Sequence, residues 1–349
     1  MSSVLSRYSH ARPALALLAA AALVLAVVAA CTSSKPNGAA ANPPLQGVYE
    51  TTITRLLPSV VEITAGSATG SGVVFDRRGD IVTNAHVVGT VKKFKVRISA
   101  SSHPMNARLV GLFTPDDLAV IRVIHGASDL KPVHWANSAK AYVGAIVLAM
   151  GSPYGLTDSV TQGIVSATGR TVTAPAIGGH QPTIIVNAVQ TSAPINPGNS
   201  GGALVLLSGY VLGMPTLNAE DPELGGQAPG IGFAIPSNTV VNIGRQLIRN
   251  GKVTKSDRAS LEIKGETHVN ELRKPNGVTV VAAKPGGAAA DAGIRPGDMI
   301  AGIAGQATSD IAALENALVR YRPGERVKLQ MQRDGNPRQV TVKLGNISS

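Results

Sequence analysis

Asn196-Pro-Gly-Asn-Ser-Gly-Gly-Ala203 carries more information than any other stretch of this chain. It sets Ser200 on a turn with glycine on both sides, where no side chain crowds an approaching carbonyl. Such a turn can aim the N–H groups of Gly198 and Ser200 at one point, which the oxyanion of an acyl transfer requires. Taken alone, the same residues also describe a glycine-rich hairpin that holds a serine with no chemistry attached.

Two upstream segments separate those readings. Thr83-Asn-Ala-His-Val-Val88 sets His86 just after the β-like run 81–83, and Asp116-Asp-Leu-Ala-Val-Ile121 sets Asp117 at the start of an apolar strand. Histidine, aspartate, serine is one of the chain orders in which a serine–histidine–aspartate triad is built. The chemistry demands these residue types. A serine hydroxyl is a poor nucleophile at its free pKa, imidazole takes its proton, and a carboxylate holds the imidazole tautomer and steadies its cation.

Further segments recur in a set order: Gly70-Ser-Gly-Val-Val-Phe75, Asp117-Leu-Ala-Val120, Gly151-Ser-Pro-Tyr-Gly155, Gln162-Gly-Ile-Val-Ser-Ala167, residues 190–202 and Gly230-Ile-Gly-Phe-Ala-Ile-Pro236. With them the chain resembles the trypsin-like serine proteases of the HtrA (Deg) family that carry a C-terminal PDZ domain. The likeness covers nearly everything from about residue 46 onward. It implies a mostly β protein, a chymotrypsin-like double β-barrel with six strands in each barrel, followed by an α+β PDZ domain. His86 and Asp117 then belong to the first barrel and Ser200 to the second, with the catalytic cleft between them. Asp117, directly before Leu-Ala-Val, is the acid by this resemblance, and Asp116 an ordinary exposed turn carboxylate.

The resemblance also implies subsites. Pro194, Ile195, Ile231, Gly232 and Phe233 would line the primary pocket, where no Asp or Glu meets a basic side chain. Thr216, Leu217 and Asn218 would pair with substrate backbone, while Pro215 departs from the pattern because it cannot donate a hydrogen bond. In this family loops such as 173–180 and 218–229 switch between inactive and active arrangements. Ser192 stands where the family commonly has aspartate, a change expected to bear on loop support. Ser71, between two glycines, has no paired oxyanion turn and reads as a strand-start residue. The family assembles as trimers through residues near the start of the protease domain, where Tyr49 is the local hint. Its substrates are unfolded or damaged proteins. The competing class is a chaperone or peptide-sensing protein with a resting or vestigial site.

The protease region is assigned to residues 46–251. Short β-like runs lie at 71–75, 81–83, 94–98, 108–113 and 118–123, then at 145–150, 163–167, 184–190, 203–206, 211–213 and 232–235. Many short strands with turn signals predict barrels or sandwiches. Residues 237–250 predict a helix capped by Ser237, with Val240, Val241, Ile243, Leu247 and Ile248 on one face and Gly251 as its stop. A polar linker, 252–257, leads to the PDZ assignment, 258–349. There the pattern runs strand, strand, short helix, strand, longer helix and a closing hairpin at Asp334-Gly335. PDZ domains take a peptide by β-augmentation and often hold its terminal carboxylate on loop amides. By resemblance that loop and strand are Ser260, Leu261, Glu262 and Ile263. Glu262 sits where the family usually has glycine, and a carboxylate there would repel a peptide C-terminus.

The amino terminus reads as an export leader over residues 1–30. Arg7 and Arg12 precede an unbroken apolar run, 14–30, that ends at Cys31. Val28-Ala-Ala-Cys31 resembles a bacterial lipobox, which implies cleavage before Cys31 and lipidation of its thiol, with 31–45 as lipidated cysteine and flexible tether. An uncleaved membrane anchor, or cleavage after Ala30 with a free thiol, are the other readings. All of them place the catalytic part outside the cytoplasmic membrane. The sole cysteine excludes an intramolecular disulfide.

The formal net charge of +11 favours anionic surfaces, including lipid headgroups, and fits simple solubility equally well. No basic run interleaved with aromatics suggests a nucleic-acid groove. Of the seven histidines only His86 lies in a matching motif, and none pairs with cysteines or acids at ligand spacing, so no metal or other cofactor is expected.

Overall fold

Strand alternation builds the first half of the molecule. In Lys93–Ile98, Phe94, Val96 and Ile98 are buried while Lys93 and Lys95 face solvent, the period of two that a half-buried strand requires. The computed structural model describes residues 44–98, 103–152, 159–174, 183–196, 198–221 and 226–349. The leader, Cys31, the tether to residue 43, Tyr154 and Gly155, and the loop segments 175–180 and 222–225 lie outside them. Residues 49–349 form one compact unit.

The first barrel closes β1 (Val60–Ala65), β2 (Ala68–Val74), β3 (Asp80–Thr83), β4 (Lys93–Ile98), β5 (Met105–Phe113) and β6 (Leu118–Val123) in the order β1-β2-β3-β6-β5-β4. The second closes β7 (Ile146–Gly151), β8 (Ser159–Ala174), β9 (Thr183–Thr191), β10 (Ala203–Leu206), β11 (Val211–Asp221) and β12 (Gly226–Pro236) in the order β10-β11-β12-β9-β8-β7. Closure leaves neither sheet an open edge. Both barrels are therefore six-stranded, as the resemblance implies. Strand β1 was not among the runs read from the sequence.

Each barrel has its own interior, Val61, Ile63 and Ile121 in the first and Val147, Leu204 and Leu212 in the second. A third apolar cluster joins them: Val73, Phe113 and Leu118 meet Leu148, Met150 and Ile185, and α3 (Ser237–Asn250) adds Val240, Ile243 and Leu247. This shared, close-packed seam fixes the two barrels against each other.

Two helix expectations need correction. A helix, α1, spans Pro44–Leu56, so it begins inside the segment read as tether. Proline is tolerated there because the first helical N–H has no intrahelical partner. Tyr49, Ile53 and Leu56 fall on one helical face and pack on the chain's own core, while Thr52 Oγ1 donates to the Leu207 carbonyl at 2.8 Å. Ser237 does not cap α3. The capping position is Pro236, and Ser237 Oγ instead donates to the Ala136 carbonyl at 2.7 Å, tying the helix start to the barrel. Gly251 ends the helix as expected, with its N–H on the Leu247 carbonyl.

A fourth apolar cluster belongs to residues 259–344. The short strand β13 (Ala259–Ser260) pairs with β20 (Gly345–Asn346). The edge strand β14 (Ile263–Val269) pairs with β15 (Pro275–Ala283), and the sheet continues through β16 (Met299–Ile303), which also carries β17 (Gln306–Ala307), to β18 (Arg326–Arg333) and β19 (Asn336–Lys343). Helices α4 (Ala288–Asp291) and α5 (Ile311–Leu318) pack on it, α5 capped by Asp310 Oδ1 on the Ala313 N–H at 2.8 Å. Asp334 and Gly335 join β18 to β19 with φ of 51° and 77°, the positive pair a tight hairpin demands.

Candidate active site

Asp117 closes the single turn Thr114–Asp116 in a left-handed conformation, φ 51°. That bend turns its carboxylate onto the short helix α2, Ala85–Val88, instead of along the strand. Asp117 Oδ1 accepts the His86 backbone N–H at 3.0 Å, and Oδ2 lies 2.8 Å from His86 Nδ1. A carboxylate only accepts, so Nδ1 carries the ring proton and Nε2 presents its lone pair. The Asp117 carbonyl accepts the Ala85 N–H and the Asn84 Nδ2, each at 3.0 Å, so the histidine's helix is pinned to the acid at several points.

A third donor reaches the acid from the other barrel. Thr216 Oγ1 donates to Asp117 Oδ2 at 2.6 Å. Asp117 is 6% exposed, and three hydrogen bonds compensate the burial of its carboxylate. The sequence assigned Thr216 to substrate backbone. Its side chain bonds the acid, and its carbonyl accepts Ser200 Oγ at 3.2 Å. Ser200 makes no hydrogen bond to His86 in this arrangement.

The turn beneath Ser200 is held by backbone bonds. Asn199 N–H donates to the Asn196 carbonyl and Gly202 N–H to the Asn199 carbonyl, both at 2.9 Å, and Gly201 N–H to the Pro215 carbonyl at 3.0 Å. Gly198 has φ 99° and Gly201 φ 82°. A Cβ on Gly201 would collide with the Ser71 carbonyl oxygen and Thr83 Oγ1. Among the described residues, no acceptor takes up the N–H of Gly198 or of Ser200. Amides on such a turn, with no acceptor among the described residues, suit a developing oxyanion.

The subsite residues divide. Ile195, Asn218 and Gly232 come together: Asn218 Nδ2 donates to the Ile195 carbonyl, and a Cβ on Gly232 would run into the Ile195 side chain. Phe233 is buried in the seam between the barrels, whereas Ile231 is 37% exposed. Pro194 is exposed, its carbonyl taking Thr161 Oγ1 at 2.7 Å. The side chain of Leu217 lies outside the described residues. Ser192 supports a neighbouring strand, its Oγ accepting the Ile164 N–H at 3.0 Å.

Comparison with known proteins gives the family. A family model described as a trypsin-like peptidase domain matches residues 70–214, and one described as a PDZ domain matches residues 242–344. The "Serine protease Do-like HtrA" of Lactobacillus helveticus is 35% identical over 295 residues, covering 79% of this chain and 68% of that protein. This chain belongs to the HtrA family of trypsin-like serine proteases. The "Periplasmic serine endoprotease DegP" of Escherichia coli K12 is 39% identical over 285 residues, which make up 79% of this chain but only 56% of that protein. A crystal structure of the serine endoprotease from Yersinia pestis superposes with a TM-score of 0.57 at 32% identity, over 86% of this chain and 98% of that one.

Against the HtrA pattern, two acids behave otherwise than the sequence suggested. Asp116 is not an exposed turn residue but is 3% exposed. Arg258 Nη1 reaches it, 2.8 Å from Oδ1, and also donates to the Pro115 carbonyl. An ion pair makes that burial tolerable. Burial pushes the Asp116 carboxyl above its ordinary value, with the Arg258 charge opposing the rise.

Glu262 is the second. It holds the positive φ, 55°, that glycine would adopt freely, but its carboxylate is spoken for. Lys284 Nζ stands 2.7 Å from Oε1, and Oε2 accepts the Ala288 N–H at 3.1 Å at the start of α4. The groove between β14 and α5, about 1080 Å³, is lined by Ser260, Leu261, Ile263, Arg258 and Glu315 among others, and Glu262 is not part of its lining. The expected repulsion of a C-terminus therefore loses its geometric basis.

Sequence reading missed three contributors: Arg258, the hydroxyl of Thr216, and Ser71, whose hydroxyl contacts the nucleophile turn. Only Ser71 left a local trace. The glycines on both sides of it are needed because a Cβ at Gly70 would strike Val87, and one at Gly72 would strike Ile81 and Ile63.

Proposed function

We propose that this chain is an envelope-anchored serine endopeptidase that cleaves unfolded or damaged exported proteins. Ser200 attacks the scissile carbonyl, and His86 Nε2 takes its proton and later returns it to the leaving amine. Asp117 holds the imidazole tautomer and steadies its cation, and the N–H groups of Gly198 and Ser200 stabilise the oxyanion. Water completes deacylation. The observation that carries the reading is the 2.8 Å contact of His86 Nδ1 with Asp117 Oδ2, which engages Nδ1 and leaves Nε2 as the ring nitrogen for the proton of Ser200.

The basic-apolar leader ending at Cys31 supports an extracytoplasmic, lipid-anchored protein, and the similar DegP is named as periplasmic. Loss of the protein from the membrane fraction on Cys31→Ala would separate the lipid anchor from an uncleaved helix. The exposed edge of β14 beside α5 supports a peptide ligand added as a strand, with regulation of the protease as its role. Assembly as a homotrimer completes the proposal.

One observation favours a second reading, a chaperone or peptide sensor whose site rests until activated. Ser200 Oγ is engaged with the Thr216 carbonyl and not with His86. Casein digestion and fluorophosphonate labelling, with and without added peptide, test both. Labelling mapped to Ser200 and loss of digestion in Ser200→Ala support the endopeptidase. Suppressed aggregation with no labelling under any condition would leave the chaperone.

A further inference from the structure

Ser71 lies in β2 of the first barrel, opposite Glu62 of β1, and is fully buried. Every polar group it has is engaged. Its Oγ donates to the Gly198 carbonyl at 2.5 Å and accepts the Ser152 N–H at 2.8 Å. Its backbone N–H donates to the Ser200 carbonyl at 3.0 Å, and its carbonyl accepts Thr83 Oγ1 at 2.6 Å. Three of these four partners, Gly198, Ser200 and Ser152, belong to the second barrel or its loops. One residue of the first barrel thus holds the carbonyls of both residues whose N–H groups are proposed to stabilise the oxyanion.

We propose that Ser71 is a positioning residue for the oxyanion turn. The claim rests on Ser200 being the nucleophile. The physical argument concerns two peptide planes. Gly198 has no Cβ and adopts φ 99°, so its backbone is freer than that of Asn199 or Ser200 beside it and needs an external restraint. Its carbonyl is held by the Ser71 hydroxyl, which keeps that oxygen from swinging toward the place where the substrate oxyanion forms and repelling it. The same side chain is satisfied by the Ser152 N–H, so its rotamer is fixed from both sides. The backbone bond from Ser71 to Ser200 anchors the other end. A plain strand residue would need only its backbone bonds. The hydroxyl spans the two barrels, and what it spans to is the catalytic turn.

Thr83 extends the relay toward the base. Its hydroxyl caps the Ser71 carbonyl, and three residues later the chain reaches His86. The restraint on the oxyanion turn and the placement of the imidazole are thereby referred to one strand pair, β2 and β3, registered at Val73 with Val82.

The test compares Ser71→Ala, Ser71→Cys, Ser200→Ala and Val96→Ala in the full chain, with a chromogenic peptide and a peptide boronate that mimics the tetrahedral adduct. Val96 lies in the first barrel's interior, far from the turn in sequence, and controls for lost stability. In Ser71→Ala, kcat is expected to fall roughly 10- to 100-fold, as for other small misplacements at reacting centres. KM stays near the wild-type value, boronate affinity falls in parallel with kcat, and the pH profile assigned to His86 keeps its midpoint. Ser71→Cys, with a weak donor of similar size, falls between. If Ser71→Ala is folded and turns over like wild type, or if Val96→Ala at equal melting temperature loses the same kcat, the inference is overturned. Should Ser71→Ala fail to fold, Ser71→Cys decides: wild-type kcat and boronate affinity overturn the inference, and a joint loss supports it. Retained activity in Ser200→Ala would instead sink the underlying assignment of the nucleophile.

Discussion

Arg258 Nη1 stands 2.8 Å from Asp116 Oδ1, so a residue at the border of the PDZ domain grips the turn that ends at Asp117, the proposed catalytic acid. The pair spans 142 positions of sequence. Asp117 follows immediately in its left-handed conformation, and Arg258 also lines the peptide groove.

Removing one partner of a buried ion pair costs about 3–5 kcal/mol, so Arg258→Met should destabilise the protein and lower kcat together. The pH dependence has a definite sign. Burial already raises the Asp116 carboxyl, and without Arg258 it rises further. The folded state then keeps a proton that the unfolded chain has released, and stability falls as pH climbs through that window. The deficit of Arg258→Met against wild type is therefore largest at neutral pH and shrinks on acidification. Urea unfolding at neutral and mildly acidic pH measures it, and a deficit that widens on acidification would refute the assignment.

Thr216→Val removes the hydroxyl that donates to Asp117 Oδ2 while keeping the side chain's shape. A hydrogen bond to a charged group contributes about 1.5–3 kcal/mol, so kcat should drop roughly 10- to 100-fold. Thr216→Ser should keep most of the activity. Steady-state kinetics on a peptide substrate decide the matter, and wild-type turnover in the valine variant would show that the acid needs only His86.

Glu262 offers a stability switch of opposite sign. Burial works against its charge, but the Lys284 bond, the Ala288 N–H and the Lys284 charge together bring its carboxyl below the ordinary value. Its contribution is present above the ordinary carboxylate range and lost as pH falls. Glu262→Gln should melt earlier at neutral pH, with the gap closing in acid. Calorimetry with a peptide ending in a free carboxylate should find little change in affinity. A marked gain would mean that the carboxylate faces the groove after all.

Gly201→Ala should abolish fluorophosphonate labelling, because φ 82° strains any other residue and the added carbon meets the Ser71 carbonyl. Gly144→Ala provides the contrast. It has φ 90° with open space around it, so it should cost only the conformational penalty of roughly 1–2 kcal/mol and leave labelling intact.

Where local pattern dominates, sequence and structure coincide. The strand read at 118–123 matches Leu118–Val123, and that at 203–206 matches Ala203–Leu206, since apolar runs bounded by turn residues have one way to pair. The closing Asp334-Gly335 hairpin was legible for the same reason. Strand β8 was read at 163–167 but runs Ser159–Ala174, because its ends are polar and owe their pairing to β7 and β9. Helix α1 is not legible in the sequence although Tyr49, Ile53 and Leu56 have helical spacing. What makes that spacing count is the seam it packs on.

From the amino acids alone came the residue types, their order and the glycine-rich turn, hence the family and the chemistry expected of His86, Asp117 and Ser200. Those follow from covalent order and local backbone preference. The engagement of Ser71 with Gly198, of Thr216 with Asp117 and of Arg258 with Asp116 belonged to the tertiary structure. Each is a short-range bond between distant positions, and its energy exists only once barrel closure and domain packing have brought the two groups within about 3 Å.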